Sequence, residues 1–132
     1  MSIQVTSDLV KSAISKKLST SFPNTDVFKE QVVEGISYPS FFINQITLTP
    51  VKLYRDKYIY EFLMEVDYFL EPKSLNRYKN LDNVGCELLD VLETIYVENI
   101  PIKGRYMNSQ KIDDVMVTTV TYKLPVTEQR IH

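Results

Sequence analysis

The sequence predicts an α+β fold in which a mainly antiparallel β-sheet carries two helices packed on one face. Two segments space their apolar residues three and four positions apart, as helices do, and one long segment alternates apolar and polar residues, as strands do. The predicted elements follow the order α-β-β-β-α-β-β, and runs of strands separated by helices are typical of α+β folds. Since 132 residues is a common size for one domain, we expect a single domain over residues 1–132.

Two helices are predicted from the apolar spacing. The first covers residues 7–20 and ends before Pro23, because a proline disfavours helical geometry in the residue that precedes it. Gly85 lies inside the second helix, where a glycine costs about 1 kcal/mol of stability relative to alanine, so we expect a kink or close packing there. This second helix covers residues 74–97, with an apolar stripe made of Leu75, Tyr78, Leu81, Val84, Leu88, Leu92 and Ile95.

Five strands are predicted from β-branched, aromatic and alternating residues. The clearest pattern runs from Tyr58 to Tyr68, where even-numbered residues are apolar and odd-numbered positions include three carboxylates. Because alternate side chains of a strand point to opposite faces, one face of this strand belongs to the core and the other is acidic. The other four predicted strands cover residues 25–33, 38–48, 100–107 and 115–126.

The residue inventory excludes several classes of chemistry. The only histidine is the last residue, His132, where we expect too little order for catalysis. A single cysteine, Cys86, excludes an internal disulfide framework and a multi-cysteine zinc site. The three glycines form neither a dinucleotide-binding fingerprint nor a Walker-type phosphate loop. We therefore predict no cofactor and no metal site.

Charge and hydropathy exclude further partners. The chain has 15 basic and 17 acidic residues and a net charge of −2, so it has no overall positive field to hold a nucleic acid. No apolar run approaches the roughly 18 residues that span a bilayer. We expect a soluble protein made in the cytoplasm, with no membrane partner and no sequence-specific nucleic-acid partner.

Three carboxylates on the alternating strand are the first candidate site. Glu61, Glu65 and Asp67 share one strand face, which we call the acidic stripe. Paired carboxylates can act as acid and base or bind a hard cation, and only Glu65 and Asp67 are close enough to cooperate directly. The alternatives are a solvated or interface sheet face, and a small α+β enzyme or ligand-binding domain that uses the Glu65/Asp67 pair.

The second candidate site is the segment over residues 51–57, which we call the hairpin arm. It lies between two predicted strands and is too polar to be buried in a monomer. It is either a mobile surface loop or a protruding arm that docks on a partner, and tyrosine and arginine often dominate interface energetics. Its candidate partner-binding residues are Lys52, Tyr54, Arg55, Asp56 and Lys57.

Three segments of the chain resemble a known family. They are residues 34–43, EGISYPSFFI; the hairpin containing Arg55 and Tyr58; and the strand from Phe62 to Phe69, which ends in VDYF. Together with the placement of the two helices, they resemble the tail terminator, or tail-completion, proteins of tailed phages and phage-tail-like particles. The resemblance covers nearly the whole chain.

The resemblance implies a structural role without catalysis. Members of this family are expected to form a ring, commonly a hexamer, on the head-proximal end of the tail tube. Such a ring ends tube polymerisation and joins the tail to the head connector, and in contractile tails it also contacts the last sheath ring. The expected location is the virion tail, with assembly in the host cytoplasm.

The ring hypothesis assigns roles to charged residues. Two helices leave one sheet face without a covering layer, so we expect contacts between subunits, with Lys103 and Arg105 meeting acidic groups of the next subunit. We also expect the acidic stripe to line the ring channel, where like charge keeps passing DNA from sticking to the wall.

Overall fold

The computed structural model describes residues 3–29 and 37–127, so His132 and residues 30–33 of the first predicted strand lie outside it. Its sheet has the strand order β1-β2-β3-β6-β5-β4, and all neighbouring strands are antiparallel except β1 and β2. The predicted α+β class is therefore confirmed. None of the described helices is long and apolar enough to cross a membrane. The elements are α1 (Ile3–Ser21), β1 (Asp26–Phe28), β2 (Ser40–Tyr54), β3 (Lys57–Phe69), α2 (Arg77–Val91), β4 (Thr94–Val97), β5 (Ile100–Ile112) and β6 (Val115–Thr127).

The hydrophobic core lies between one sheet face and both helices. Even-numbered residues of β3 and β6, among them the fully buried Tyr60 and Tyr122, join Ile14 of α1 and Leu88 of α2 in one buried cluster. The Tyr122 hydroxyl donates a 2.6 Å hydrogen bond to the carbonyl oxygen of Leu92, so this buried polar group has a partner. Burial also raises the pKa of Tyr122 above its ordinary value. The predicted placement of both helices on one face is confirmed.

The second helix is shorter than predicted, and its expected last turn is a strand. α2 ends at Val91, and Thr94–Val97 pairs with β5 as β4. Ile95 continues the helical spacing from Leu92, which is why the predicted helix extends to residue 97. The run of threonine, isoleucine, tyrosine and valine favours a strand, and the pairing with β5 decides for it. β4 is thus an added strand, while the other seven elements keep the predicted order.

The hairpin arm is the end of a β-hairpin, with a shift of register between Lys52 and Tyr54, rather than a loop between two strands. β2 continues to Tyr54 and β3 begins at Lys57, so only Arg55 and Asp56 form the turn. Arg55 has a φ of 51°, in the left-handed region that tight hairpin turns use. The predicted strand over residues 38–48 is too short because β2 is exposed on both faces near its end, where the alternation of apolar and polar residues disappears.

Two glycines allow elements to approach closely. A Cβ on Gly85 would lie 2.9 Å from the Met116 sulfur, so α2 packs closely on β6. Of the kink and the close packing expected at this position, the structure shows the close packing. A Cβ on Gly104 would lie 2.8 Å from the Leu92 carbonyl oxygen and 2.8 Å from Val120 Cγ2. The atoms facing Gly85 belong to a flexible side chain, whereas Gly104 faces a backbone carbonyl oxygen.

We predict that Gly104→Ala lowers the free energy of unfolding by about 1–3 kcal/mol, because backbone atoms cannot move aside for the added methyl group. Gly85→Ala is the matched control, and we expect a change of less than about 1 kcal/mol. There the methionine can move, and alanine favours a helix by about 1 kcal/mol over glycine. Urea denaturation of both variants measures the difference, and equal losses would contradict this packing.

Candidate functional site

The sheet face turned away from both helices, which we call the outer face, carries the acidic stripe. Glu61, Glu65 and Asp67 occupy odd-numbered positions of β3, opposite in direction to the buried even-numbered residues. On β6 their paired neighbours include Lys123 and Thr119, which share this face because residues directly opposite in a sheet point the same way. The predicted segregation of the three carboxylates from the core is therefore present in the structure.

Within the acidic stripe, Asp67 has a carboxyl group with a raised pKa. Burial, the charge of Glu65 and a side-chain hydrogen bond with Glu65 together raise the pKa of Asp67 to about 7, against the opposing effect of a hydrogen bond from Asn44. The Asn44 side-chain amide donates a 3.3 Å hydrogen bond to Asp67 Oδ2. Asp67 Oδ1 is shielded from solvent and has no hydrogen-bond partner. Glu65 and Asp67 thus form a carboxyl pair in which Asp67 keeps its proton to a higher pH than an ordinary aspartate does.

Glu61, in contrast, forms an ion pair with Lys123 at 3.5 Å, between side chains that are each about one-third exposed. The stripe is consequently divided into a neutralised end at Glu61 and a carboxyl pair at Glu65 and Asp67. Within residues 3–29 and 37–127, no group of three or more histidine, cysteine or acidic residues is arranged to hold a metal ion. The shielded Asp67 oxygen also presents little surface to a substrate.

The hairpin arm projects side chains to solvent on both faces. Tyr54 is 62% exposed and Leu53 is 53% exposed. The Lys57 ammonium group donates a 3.0 Å hydrogen bond to the Thr127 hydroxyl, which ties the turn end of the arm to the end of β6. Sequence reasoning predicted Tyr54 and the charged residues of the arm as contacts and missed Leu53 and Val51 as exposed apolar groups. Their position in a segment with no buried face was the available signal.

The two basic residues predicted at the subunit interface lie on β5, away from the arm. Lys103 forms a 3.9 Å ion pair with Glu93 of its own chain, so it already has an acidic partner. Arg105 pairs with Thr121 of β6 and therefore lies on the outer face. It makes no ion pair with any residue that the structure describes. The structure therefore separates three predicted sites: the arm, the acidic stripe and the β5 residues.

A groove of about 810 Å³ lies at the opposite end of the sheet from the arm, between the turn after β5 and the start of α2. Arg77 donates a 2.7 Å hydrogen bond to the Asp114 carbonyl oxygen and forms a 3.7 Å ion pair with its carboxylate. Tyr78 and Phe69 also line the groove. Sequence reasoning missed this feature because its walls come from segments about 36 residues apart.

Comparison with known proteins identifies the family. A family model described as phage tail terminator protein matches residues 9–132. The chain belongs to the phage tail terminator family. This confirms the resemblance seen in the sequence, and it makes the chain a structural component of a phage tail that works with other tail components.

Other comparisons add little to this assignment of a phage tail terminator. No curated protein matches the chain. A solved structure that covers 95% of this chain and 97% of its own has 12% sequence identity and a TM-score of 0.42, which is too low to carry an argument. The family membership therefore rests on the family model.

The raised pKa of Asp67 in this tail terminator predicts that the free energy of unfolding depends on pH. Because the pKa of Asp67 is about 7 in the folded chain against an ordinary 3.8, the folded state binds its proton more tightly than the unfolded chain does. The resulting stability is complete below about pH 4 and is lost as the pH rises through 7. Asp67→Asn keeps the neutral form, so the variant should gain stability relative to the wild type between pH 5 and pH 8, measured by urea denaturation.

The control for this experiment is Glu61→Gln, which removes a partly exposed ion pair worth about 0–1 kcal/mol. Its free energy of unfolding should keep the pH slope of the wild type. A slope that is unchanged in Asp67→Asn would show that Asp67 is ionised throughout this pH range.

Proposed function

We propose that this chain forms a ring of six subunits on the head-proximal end of the tail tube. The ring ends tube polymerisation and joins the tail to the head. The observation that carries the proposal is the match to the phage tail terminator family over residues 9–132. The architecture supports it, since a sheet with helices on one face leaves the other face available to line a channel or meet a neighbour.

The hairpin arm is the proposed contact with the tail-tube protein or with an adjacent subunit. Exposed tyrosine, leucine and valine side chains at the turn end of the β2–β3 hairpin provide apolar area without any role in the core. Lys52, Arg55 and Lys57 add positive charge around them, with Asp56 at the turn. The other proposed partners are the head-tail connector protein and, in a contractile tail, the sheath protein.

We predict that Tyr54→Ala combined with Arg55→Asn abolishes tail capping and leaves the melting temperature almost unchanged. Tyr54 is largely exposed, and asparagine tolerates the positive φ at position 55 better than alanine does. Truncating an interface tyrosine or arginine commonly costs about 2 kcal/mol or more of binding. The measurement is electron microscopy of tails made by a deletion phage complemented with each variant.

In that experiment the deletion phage should make overlong or headless tails, and the wild-type chain should restore normal tails. Leu75→Ala is the matched control, because Leu75 is 85% exposed and lies outside the arm. Normal tails from the double variant would place the docking surface elsewhere. Normal tails from the uncomplemented deletion would contradict the proposed function itself.

The acidic stripe is the proposed channel lining. Carboxylates on the wall repel the phosphates of passing DNA, which keeps the channel free of adsorbed genome. The raised pKa of Asp67 reduces this negative charge near neutral pH, while Glu65 and Glu61 remain on the accessible face.

We predict that Glu61→Lys combined with Glu65→Lys slows genome ejection while ring formation persists. Asp67 is left unchanged in this variant because its side chain is partly buried. The matched control is Glu71→Lys combined with Glu87→Lys, which makes the same change in charge at exposed positions off the outer face. Ejection measured by DNA release should be slowed only in the first variant, and equal rates in both would refute a channel role.

A further inference from the structure

Two strands of the sheet have long edges with no neighbouring strand in the described chain. β1 pairs with β2 only at Ser40–Phe42, and β4 pairs with β5 only at Ile100–Lys103. The Gly104 N–H donates a hydrogen bond to the carbonyl oxygen of Glu93, the residue just before β4. The unpaired part of β5 therefore begins at Arg105. We call residues 43–54 of β2 and 105–112 of β5 the free edges. Such edges expose main-chain groups that can pair with another chain.

Both free edges also expose large apolar side chains. Ile46 on β2 is 47% exposed, and Tyr106 on β5 is 79% exposed. Each lies at an irregularity of the strand register, between Gln45 and Thr47 on β2 and between Arg105 and Asn108 on β5. β-Bulges of this kind redirect side chains, and here they place an apolar group on each open edge.

The free edges overlap in height along part of the sheet. Asn44 is connected through its paired neighbours Glu65 and Thr119 to Asn108. Four residues further along β2, Leu48 is connected in the same way to Gly104, through Phe62 and Tyr122. Residues 44–48 and 104–108 are therefore at matching heights on opposite sides of one subunit. Pro50, which has no N–H to donate, marks where the β2 edge stops being suitable for pairing.

The strand directions also match. β2 and β6 run one way, while β3 and β5 run the other, because successive neighbours from β2 to β5 are antiparallel. When two copies stand side by side in the same orientation, β5 of one copy meets β2 of the next as an antiparallel pair. This is the arrangement that neighbouring strands adopt throughout the rest of the sheet.

The charges at this contact are complementary. Residues 44–49 of β2 carry no charge, so Arg105 of the adjoining copy meets no like charge there. Arg105 lies on the outer face, and across β2 that face leads to the acidic stripe of the next copy, with Glu61 and Glu65 on either side of the level of Arg105. The contact therefore gives Arg105 acidic neighbours on the next subunit.

We propose that successive copies of this chain join edge to edge, with residues 44–47 of β2 beside residues 105–108 of β5 in the next copy. This inference rests on the proposed ring and identifies the surfaces that build it. A contact between two different surfaces of identical subunits is heterologous, and it closes into a ring when the rotation between subunits allows.

Cross-linking between introduced cysteines tests this contact. In a Cys86→Ser background, Thr47→Cys and Asn108→Cys place one thiol on each free edge, both at exposed outer-face positions. With a short bismaleimide, the double variant should give a ladder of linked subunits up to the full ring. The matched control, Thr47→Cys with Leu75→Cys, and each single variant should give no ladder.

A second variant measures the contribution of the contact to assembly. Asparagine tolerates the positive φ at position 106, so Tyr106→Asn removes the exposed aromatic side chain without straining the backbone. It should raise the concentration for half-assembly at least tenfold in sedimentation, with an unchanged melting temperature. Rings that form without an edge-specific ladder and without this loss would overturn the edge contact alone. A chain that stays monomeric at all concentrations and also on tail tubes would overturn both the contact and the proposed ring.

Discussion

The one-sided packing of the sheet is the constraint on which the rest of the structure depends. The pleat of β3 and β6 sends alternate side chains to opposite faces, and both helices pack against the same face. Burial of that face, with Tyr60 and Tyr122 among its largest fully buried side chains, supplies the core of a small domain. Both helices pack against the core face, so no described element covers the outer face or the free edges.

The outer face, the free edges and the hairpin arm lie outside the core, and these are the surfaces that a subunit of an assembly uses. The outer face concentrates carboxylates at its centre, where burial and the neighbouring charge of Glu65 raise the pKa of Asp67. The free edges provide main-chain hydrogen-bonding groups at matching heights, and the hairpin arm provides exposed apolar and basic side chains at one end of the sheet. Each feature is unfavourable or idle in an isolated monomer and gains a use when other chains surround it.

The sequence predicted the features that follow from local periodicity. Alternation from Tyr58 to Tyr68 located both the core face of β3 and the acidic stripe, and apolar spacing located both helices. It did not predict β4, because Ile95 satisfies the helical spacing and the strand pattern equally. Lys103 could not be assigned its partner Glu93, since that ion pair depends on how β4 returns beside β5. The free edges could not be predicted at all, because they depend on where β1 and β4 stop pairing.

We propose that this chain forms a ring on the head-proximal end of the tail tube. Cryo-electron microscopy of the tail end, with the ring located by its α+β subunits, tests this claim most directly. We expect one ring of six subunits between the tube and the head connector, with the outer face of each sheet toward the channel and β2 beside β5 of the neighbouring subunit. Finding the chain at the distal end of the tail, or as a single copy beside the tube, would contradict it.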